Sequence, residues 1–346
     1  MKIVNILKKL GPAGGVETLM DGFLRSADQF GQVNSHVYGP ISDHPFTSDL
    51  CERYKIEKHP GLWGLWSILG SLRNTPDVDV VLAHQPLTVL VVGIYKFIAR
   101  KKWRLAYFIH IDVDRINVPG LLKPLAIRSI GVLSDVVLSE TQDNIRSLKS
   151  RFPKISCHVV RPPILSDDHL SVVKNEGASD TDFVFLGRLC KQKDPMLFLD
   201  AFEKCKAYNS SLSAVIIGDG DLAFAVKSRC DKLGVTFTGR VDVNEIQEWF
   251  TRSKVFVMSS EYEGFGLVLI EALDAGLTVV SVDCPVGPRE ILAQNRGYLV
   301  ARNPSALSTG MLQSLKAPLN NDHIAIYLNE FRFTPATRSI FKALSR

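Results

Sequence analysis

Apolar runs of strand length alternate with helix-length segments along all 346 residues of this chain, and the pattern is laid down twice. Strands are expected at 2–7, 35–38, 78–83, 105–109, 136–138 and 158–160, and again at 183–186, 214–217, 235–238, 255–258 and 279–282. Such alternation makes parallel sheets, because parallel strands need a connection long enough to hold a crossover helix. Between the two sets, Pro162-Pro163 leads into 167–180, a polar stretch without periodicity that reads as a linker. The expected fold class is α/β: two doubly wound parallel-sheet domains, 1–163 and 164–322. A length of 346 suits two cores of roughly 150 residues each.

Composition narrows the class. Hydrophobic residues make up 46% and charged residues 22%, as in an ordinary globular protein. No apolar run reaches the roughly 20 residues that span a bilayer. The longest, 87–99, is broken by Lys96 and followed by Arg100-Lys101-Lys102. The N-terminus reads as a short strand, not as a signal peptide. Six cysteines (Cys51, Cys157, Cys190, Cys205, Cys230, Cys284) show no paired spacing, which fits reduced thiols in the cytoplasm and offers no zinc site. Residues 1–163 hold 21 Lys and Arg against 14 Asp and Glu, whereas the remainder holds 20 against 22. A basic first half points to an anionic partner. No nucleic-acid motif accompanies it. An anionic membrane surface fits better, because Trp63, Trp66, Phe97 and Trp103 lie among or near the basic residues.

The chemistry-bearing stretch is Glu263-Gly264-Phe265-Gly266-Leu267-Val268-Leu269-Ile270-Glu271. An apolar strand runs into it and a helix leaves it. A glycine turn between strand and helix offers backbone N–H groups and a positive helix end to an anion. Glu263 falls at the carboxyl end of its strand, where open α/β sheets bind ligands, and Glu271 falls on the helix. Two carboxylates beside an anion site suit a ligand with both hydroxyls and phosphates. Spacing alone would equally describe a surface acid and a helix-face acid. A second stretch, Gly187-Arg188-Leu189-Cys190-Lys191-Gln192-Lys193-Asp194, puts two cations after a buried strand. Arg188 can clamp a diphosphate through its planar fork and Lys193 can act as a point charge.

Together these stretches resemble the signatures of glycosyltransferase family 4, retaining enzymes of the GT-B architecture. Glu263 and Glu271 match its E-x7-E, and Gly187 to Asp194 match its G-R-L-x-x-x-K motif. Gly11-Pro12-Ala13-Gly14-Gly15-Val16-Glu17 is similar to its first G-G-x-E loop. Residues 216–220 (Ile-Ile-Gly-Asp-Gly) and 237–241 (Phe-Thr-Gly-Arg-Val) resemble loops lining the base pocket. Residues 283–292, from Asp283-Cys284-Pro285 to Ile291-Leu292, look like the version found in bacterial polysaccharide and lipopolysaccharide transferases. His110 and Asp112 end another strand, where the family often has a histidine contacting the transferred sugar; which of the two fills that role stays open. The family's Asn-Gly after the last strand of the first domain is absent here, replaced by Arg161-Pro162-Pro163.

The resemblance implies two Rossmann-like domains facing across a cleft, with the acceptor on the first and the nucleotide sugar on the second. It implies a tail, 323–346, that packs back on the first domain. It implies a hexosyltransferase moving a sugar, with retention, from a UDP-sugar to a glycan or lipid-linked glycan in surface polysaccharide synthesis. Arg188, Lys193, Glu263 and His110 would be catalytic. Gly14, Gly15, Gly187, Asp219, Gly239, Arg240, Phe265, Gly266, Leu267 and Glu271 would bind the donor. D-x-D spellings such as Asp77/Asp79, Asp112/Asp114 and Asp219/Asp221 show how cheap that metal motif is. With two cations already present, no metal and no other cofactor are expected. The enzyme would work in the cytoplasm, peripherally on the inner face of the membrane. A sugar-nucleotide epimerase of related fold, or a non-catalytic scaffold of a polysaccharide-assembly complex, are the rival readings.

Overall fold

A computed structural model describes residues 1–7, 15–37, 45–54, 56–58, 64–74, 78–110, 112, 122–168, 180–319 and 322–346. The chain forms two compact units, Met1–Asp167 with Glu330–Arg346, and Asp168–Asn329. Gly14, Trp63, Asp77 and Asp114 lie outside the described residues, as does most of the expected linker.

The first unit is a parallel sheet of β1 (Lys2–Leu7), β2 (Gln32–Val37), β3 (Glu57–Lys58), β4 (Val80–Ala83), β5 (Arg104–Ile109), β6 (Val136–Ser139) and β7 (Cys157–Val159). Its strand order is β3-β2-β1-β4-β5-β6-β7. The chain steps outward from β1 in one direction, then returns to β4 and steps outward in the other. The order reverses between β1 and β4, so that is the topological switch point, where the carboxyl ends of the strands leave a crevice. Every residue of β4 and of β6 is buried, as expected for strands covered on both faces.

Helices α1 (Gly15–Ala27), α2 (Pro45–Arg53), α3 (Gly64–Asn74), α4 (Pro86–Ile98), α5 (Leu122–Leu133) and α6 (Gln142–Arg151) connect the strands. Helices α4 and α5 approach closely at Gly93, where an added Cβ would lie 2.8 Å from Leu133 Cβ. That leaves part of α4 outward: Phe97 is 83% and Ile98 73% exposed, with Ile94 beside them one turn back. No helix among the described residues is long and apolar enough to cross a membrane.

The second unit has β8 (Thr181–Leu186), β9 (Ala214–Ile217), β10 (Thr236–Gly239), β11 (Ser253–Met258), β12 (Thr278–Val282) and β13 (Tyr298–Val300), ordered β10-β9-β8-β11-β12-β13 and parallel throughout. Its switch point falls between β8 and β11. Helices α7 (Pro195–Tyr208), α8 (Ala223–Leu233), α9 (Val243–Arg252), α10 (Leu267–Asp274), α11 (Pro288–Ile291), α12 (Pro304–Lys316) and α13 (Asp322–Asn329) complete it. Helix α13 stays with this unit: Ile324, Tyr327 and Leu328 are buried, and the Arg296 guanidinium lies 3.9 Å from the Tyr327 ring centroid.

The last helix, α14 (Phe333–Ser345), belongs to the first unit. Ser26 Oγ of α1 donates to Thr337 Oγ1 at 2.7 Å, and Phe23 and Phe341 meet at 6.0 Å between centroids. The chain at 164–167 is tied to the start of this segment. Ile164 N and Leu165 N both donate to Phe331 O, and Thr334 N donates to the Asp167 carboxylate.

Candidate functional site

The buried middle of strand β8, Phe183-Val184-Phe185, leads through Leu186 to Gly187-Arg188, where the chain leaves the sheet. The turn that follows ends at Asp194, whose backbone is left-handed and whose carboxylate caps α7 by accepting from Leu197 N at 3.2 Å. Lys193, just before that cap, is thereby aimed back across the end of the sheet. Its ammonium donates to Glu263 Oε1 at 2.6 Å. Glu263 comes from the loop after β11, the immediate neighbour of β8. Ser260 Oγ donates to the same carboxylate oxygen at 2.5 Å. Two further links hold the loops together: Glu261 N donates to Gln192 O at 2.7 Å, and Gln192 Nε2 donates to Tyr262 O at 3.0 Å.

The Glu263 side chain is 6% exposed and that of Lys193 24%. Burial of both charges is tolerable only because they meet with charge-assisted geometry. Neither group is used up. An ammonium has three N–H donors, and Glu263 takes one. Both described donors to Glu263 go to Oε1, so Oε2 accepts no hydrogen bond among the described residues. Arg188 is exposed, and among the described residues its guanidinium has no ion-pair partner.

Glu271 sits on α10, partly buried. Burial pushes its carboxyl above the ordinary carboxylate range, and the Lys193 charge opposes the shift. Lys193 thus acts on both glutamates of the motif. The Cys284 thiol is pushed up to about 12, first by burial and then by the Glu263 charge, so it is an inert neighbour.

Backbone bonds draw the loops after β8, β9 and β10 together. Leu189 N donates to Asp219 O at 2.9 Å, and Gly218 N donates to Gly239 O at 2.8 Å. Gly218 is required here: its φ is +144°, and an added Cβ would lie 2.0 Å from Gly187 O. Gly287 has the same role across the site, with φ +94° and a Cβ position 1.7 Å from Phe265 O. The Phe265 ring is 2% exposed and serves the core; Gly266 caps α10 and Leu267 opens it. Arg240 is exposed beside Gly239 and, like Arg188, has no partner among the described residues.

The structure therefore brings together Gly187, Lys193, Asp219, Gly239, Glu263 and Glu271 in the second unit. Gly15 and His110 belong to the first, where Gly15 opens α1 and His110 follows β5. There His110 Nδ1 faces Glu140 Oε1 at 3.2 Å, and His110 Nε2 faces His84 Nδ1 at 2.6 Å. Asp112 is partly buried, and Asp79 accepts from Lys2 N at 2.7 Å at the start of its strand. Among the described residues no group of three His, Cys, Asp or Glu side chains is placed to hold a metal ion. Ser260, His84 and Glu140 were not anticipated from the sequence. Each is a polar residue within two positions of a buried strand's carboxyl end, and that placement was the signal available.

Comparison with known proteins gives the class. Residues 168–328 match the family model for glycosyl transferases group 1. An uncharacterized glycosyltransferase of Methanocaldococcus jannaschii is 29% identical over 172 residues, 46% of this chain but only 42% of that protein. The amylovoran biosynthesis glycosyltransferase AmsD of Erwinia amylovora is 27% identical over 262 residues, 74% of this chain and 73% of that one. A diphospho-undecaprenol 4-alpha-N-acetylgalactosaminyltransferase of Campylobacter jejuni is 26% identical over 216 residues, 60% of this chain and 57% of that one. Anabaena HepE, solved with UDP and glucose, superposes with a TM-score of 0.75 at 18% identity over 100% of this chain and 99% of that one. The fold is GT-B, and the second unit is a glycosyl transferases group 1 domain. The chain is a glycosyltransferase.

Proposed function

We propose that this enzyme moves a hexose from a UDP-sugar to a glycan or lipid-linked glycan, with retention at the anomeric carbon, as a family 4 enzyme of surface polysaccharide or lipopolysaccharide synthesis. The observation that carries the reading is the Lys193–Glu263 pair at the carboxyl ends of adjacent central strands, with donors to spare on one partner and an acceptor to spare on the other. A sugar nucleotide needs both. Its diphosphate takes Arg188 and the remaining Lys193 donors, its sugar hydroxyls donate to Glu263 Oε2, and its ribose reaches Glu271. As the anomeric C–O bond breaks, charge grows on the leaving diphosphate, and these preorganised cations stabilise it. The acceptor oxygen attacks from the same face, and the departing phosphate oxygen takes its proton. The products are a glycoside and a nucleoside diphosphate.

Three further facts support the finer parts of the reading. HepE, of the same fold, was solved with UDP and glucose. The Campylobacter relative acts on a diphospho-undecaprenol substrate by its name. On the first unit, Ile94, Phe97 and Ile98 stand exposed on one face of α4, with Arg100 and Lys102 following, which suits peripheral contact with an anionic membrane.

The test is a panel of nucleotide sugars scored by protection against thermal unfolding, followed by product analysis with glycan acceptors. A ligand at 100 times its Kd adds about 2.7 kcal/mol. Protection by a UDP-sugar and an α-linked product from an α-linked donor are expected. No protection by any nucleotide sugar would overturn the donor assignment, and an inverted product would overturn retention. Free epimerised sugar without an acceptor would favour an epimerase.

A further inference from the structure

Four neighbouring strands of the first unit, β1, β4, β5 and β6, deliver one chain of polar side chains near the carboxyl edge of their sheet. Asn5 lies within β1; His84, His110 and Glu140 immediately follow β4, β5 and β6. Asn5 Oδ1 meets His84 Nε2 at 2.5 Å, His84 Nδ1 meets His110 Nε2 at 2.6 Å, and His110 Nδ1 meets Glu140 Oε1 at 3.2 Å. The chain begins across the switch point, between β1 and β4. The two imidazoles are 5.0 Å apart between centroids with planes within 5°. With ring nitrogens only 2.6 Å apart, that is an edge-to-edge arrangement in one plane, the direction in which a nitrogen lone pair accepts.

The proton positions follow from one end. The Asn5 amide nitrogen faces Ser35 Oγ at 3.2 Å and Met20 Sδ at 3.4 Å. A thioether cannot donate, so the NH2 group belongs on that side and Oδ1 faces His84. Oδ1 only accepts, so His84 carries its proton on Nε2. His84 is fully enclosed, and burial, then the neighbouring His110, hold it well below its ordinary titration range, so its Nδ1 is a bare acceptor. The proton between the rings is therefore on His110 Nε2. At the other end the Glu140 carboxylate, 6% exposed, accepts from His110 Nδ1.

We propose that Asn5, His84 and Glu140 are positioning residues that hold His110 as an imidazolium, giving the first unit a fixed, nearly buried positive charge at the carboxyl edge of its sheet. In this arrangement both N–H groups of His110 are engaged within the unit. Its use to the proposed reaction is through charge, with Glu140 as its counter-charge. Among the described residues the groups bonded to this series are Ser35 from β2, Met20 from α1 and Arg161, whose guanidinium donates to Glu140 O at 3.2 Å and to Glu330 Oε2 at 2.9 Å. Phe108 packs 4.5 Å from the His110 ring centroid, and Asp112 follows two residues on.

The catalytic use of this charge rests on the proposed glycosyl transfer; the protonation pattern does not, and the two are tested apart. Nitrogen-15 histidine spectra of the whole protein at pH 7.5 should show His110 protonated on both nitrogens and His84 on Nε2 alone. In Glu140→Gln, His110 should become neutral with a single tautomer, and Glu140→Asp should restore the cation. A neutral His110 in the folded wild-type protein overturns the proposal. In the activity arm, Glu140→Gln should lower kcat roughly tenfold to a hundredfold with KM for the nucleotide sugar changed less than about threefold. Glu140→Asp should recover most of it. Unchanged kcat in Glu140→Gln, with His110 shown to be neutral, removes the charge from catalysis. Correct spectra with no transfer from any sugar nucleotide would instead count against the proposed reaction and leave the chain intact.

Discussion

Lys193 Nζ donates to Glu263 Oε1 across 70 residues of sequence, joining the loops that leave β8 and β11 at the switch point of the second sheet. Arg188, five residues before Lys193, has no such bond among the described residues. The two cations should therefore part company on mutation. Lys193→Met leaves a buried carboxylate with Ser260 alone, and urea unfolding should report a loss of about 3 kcal/mol. Arg188→Ala should stay within about 0.5 kcal/mol of wild type. Both should lower kcat at least about a hundredfold. Near-normal turnover in either variant would take that residue out of the mechanism.

Glu271 should show the opposite trade. Its folded carboxyl titrates above the usual value of 4.5 because burial disfavours its charge. As pH rises, the unfolded chain releases this proton first, so the group's contribution to stability is greatest below 4.5 and is lost as pH climbs through the folded value. Glu271→Gln does not titrate. Its melting temperature should match wild type near pH 4 and exceed it at pH 7.5, while affinity for the nucleotide sugar falls. A variant less stable than wild type at pH 7.5 would mean that Glu271 makes a bond its burial conceals.

Chelation separates a cation-only mechanism from a metal-assisted one. Transfer activity should survive excess EDTA, since Arg188 and Lys193 supply positive charge to the leaving group. Loss of activity restored by Mn²⁺ or Mg²⁺ would return Asp219 and Asp221 to consideration.

The membrane reading is tested on α4. Co-sedimentation with vesicles should rise with anionic lipid and fall at high salt, each basic residue near the surface contributing about 1 kcal/mol. Phe97→Ser with Ile98→Ser, and separately Arg100→Glu with Lys102→Glu, should each weaken it without changing protection by nucleotide sugars. Lys96 and Lys101 should matter less: Lys96 pairs with Asp135, and Lys101 donates to Leu72 O and Arg73 O. Trp103, expected in the same interfacial stretch, is buried. Binding indifferent to lipid charge would remove the membrane from the account.

Much of this architecture was legible because burial on both faces leaves a plain trace. Val80–Ala83 and Val136–Ser139 are wholly buried, and a continuous apolar run between turn residues announced each of them. Tyr298–Val300 and Glu57–Lys58 escaped notice, being three and two residues long and at most half-buried. In the second unit Lys193, Glu263 and Glu271 could be found because each motif is local, a strand and its own turn. The Asn5–His84–His110–Glu140 chain could not. Its members come from four strands, and they meet only because the sheet order sets β1, β4, β5 and β6 side by side. Sequence showed His110 alone; register supplied its neighbours.

The docking of α14 on α1 has a consequence for how the protein is made. On the ribosome the first sheet emerges early, but the surface of α1 that receives Thr337 and Phe341 must wait for the last helix. The second unit, continuous in sequence, can finish folding while the first is still incomplete. In a growing chain the order of completion is thus the reverse of the order of synthesis. Until α14 emerges, the growing chain carries one finished unit and one unfinished unit whose Phe23 lacks its contact with Phe341.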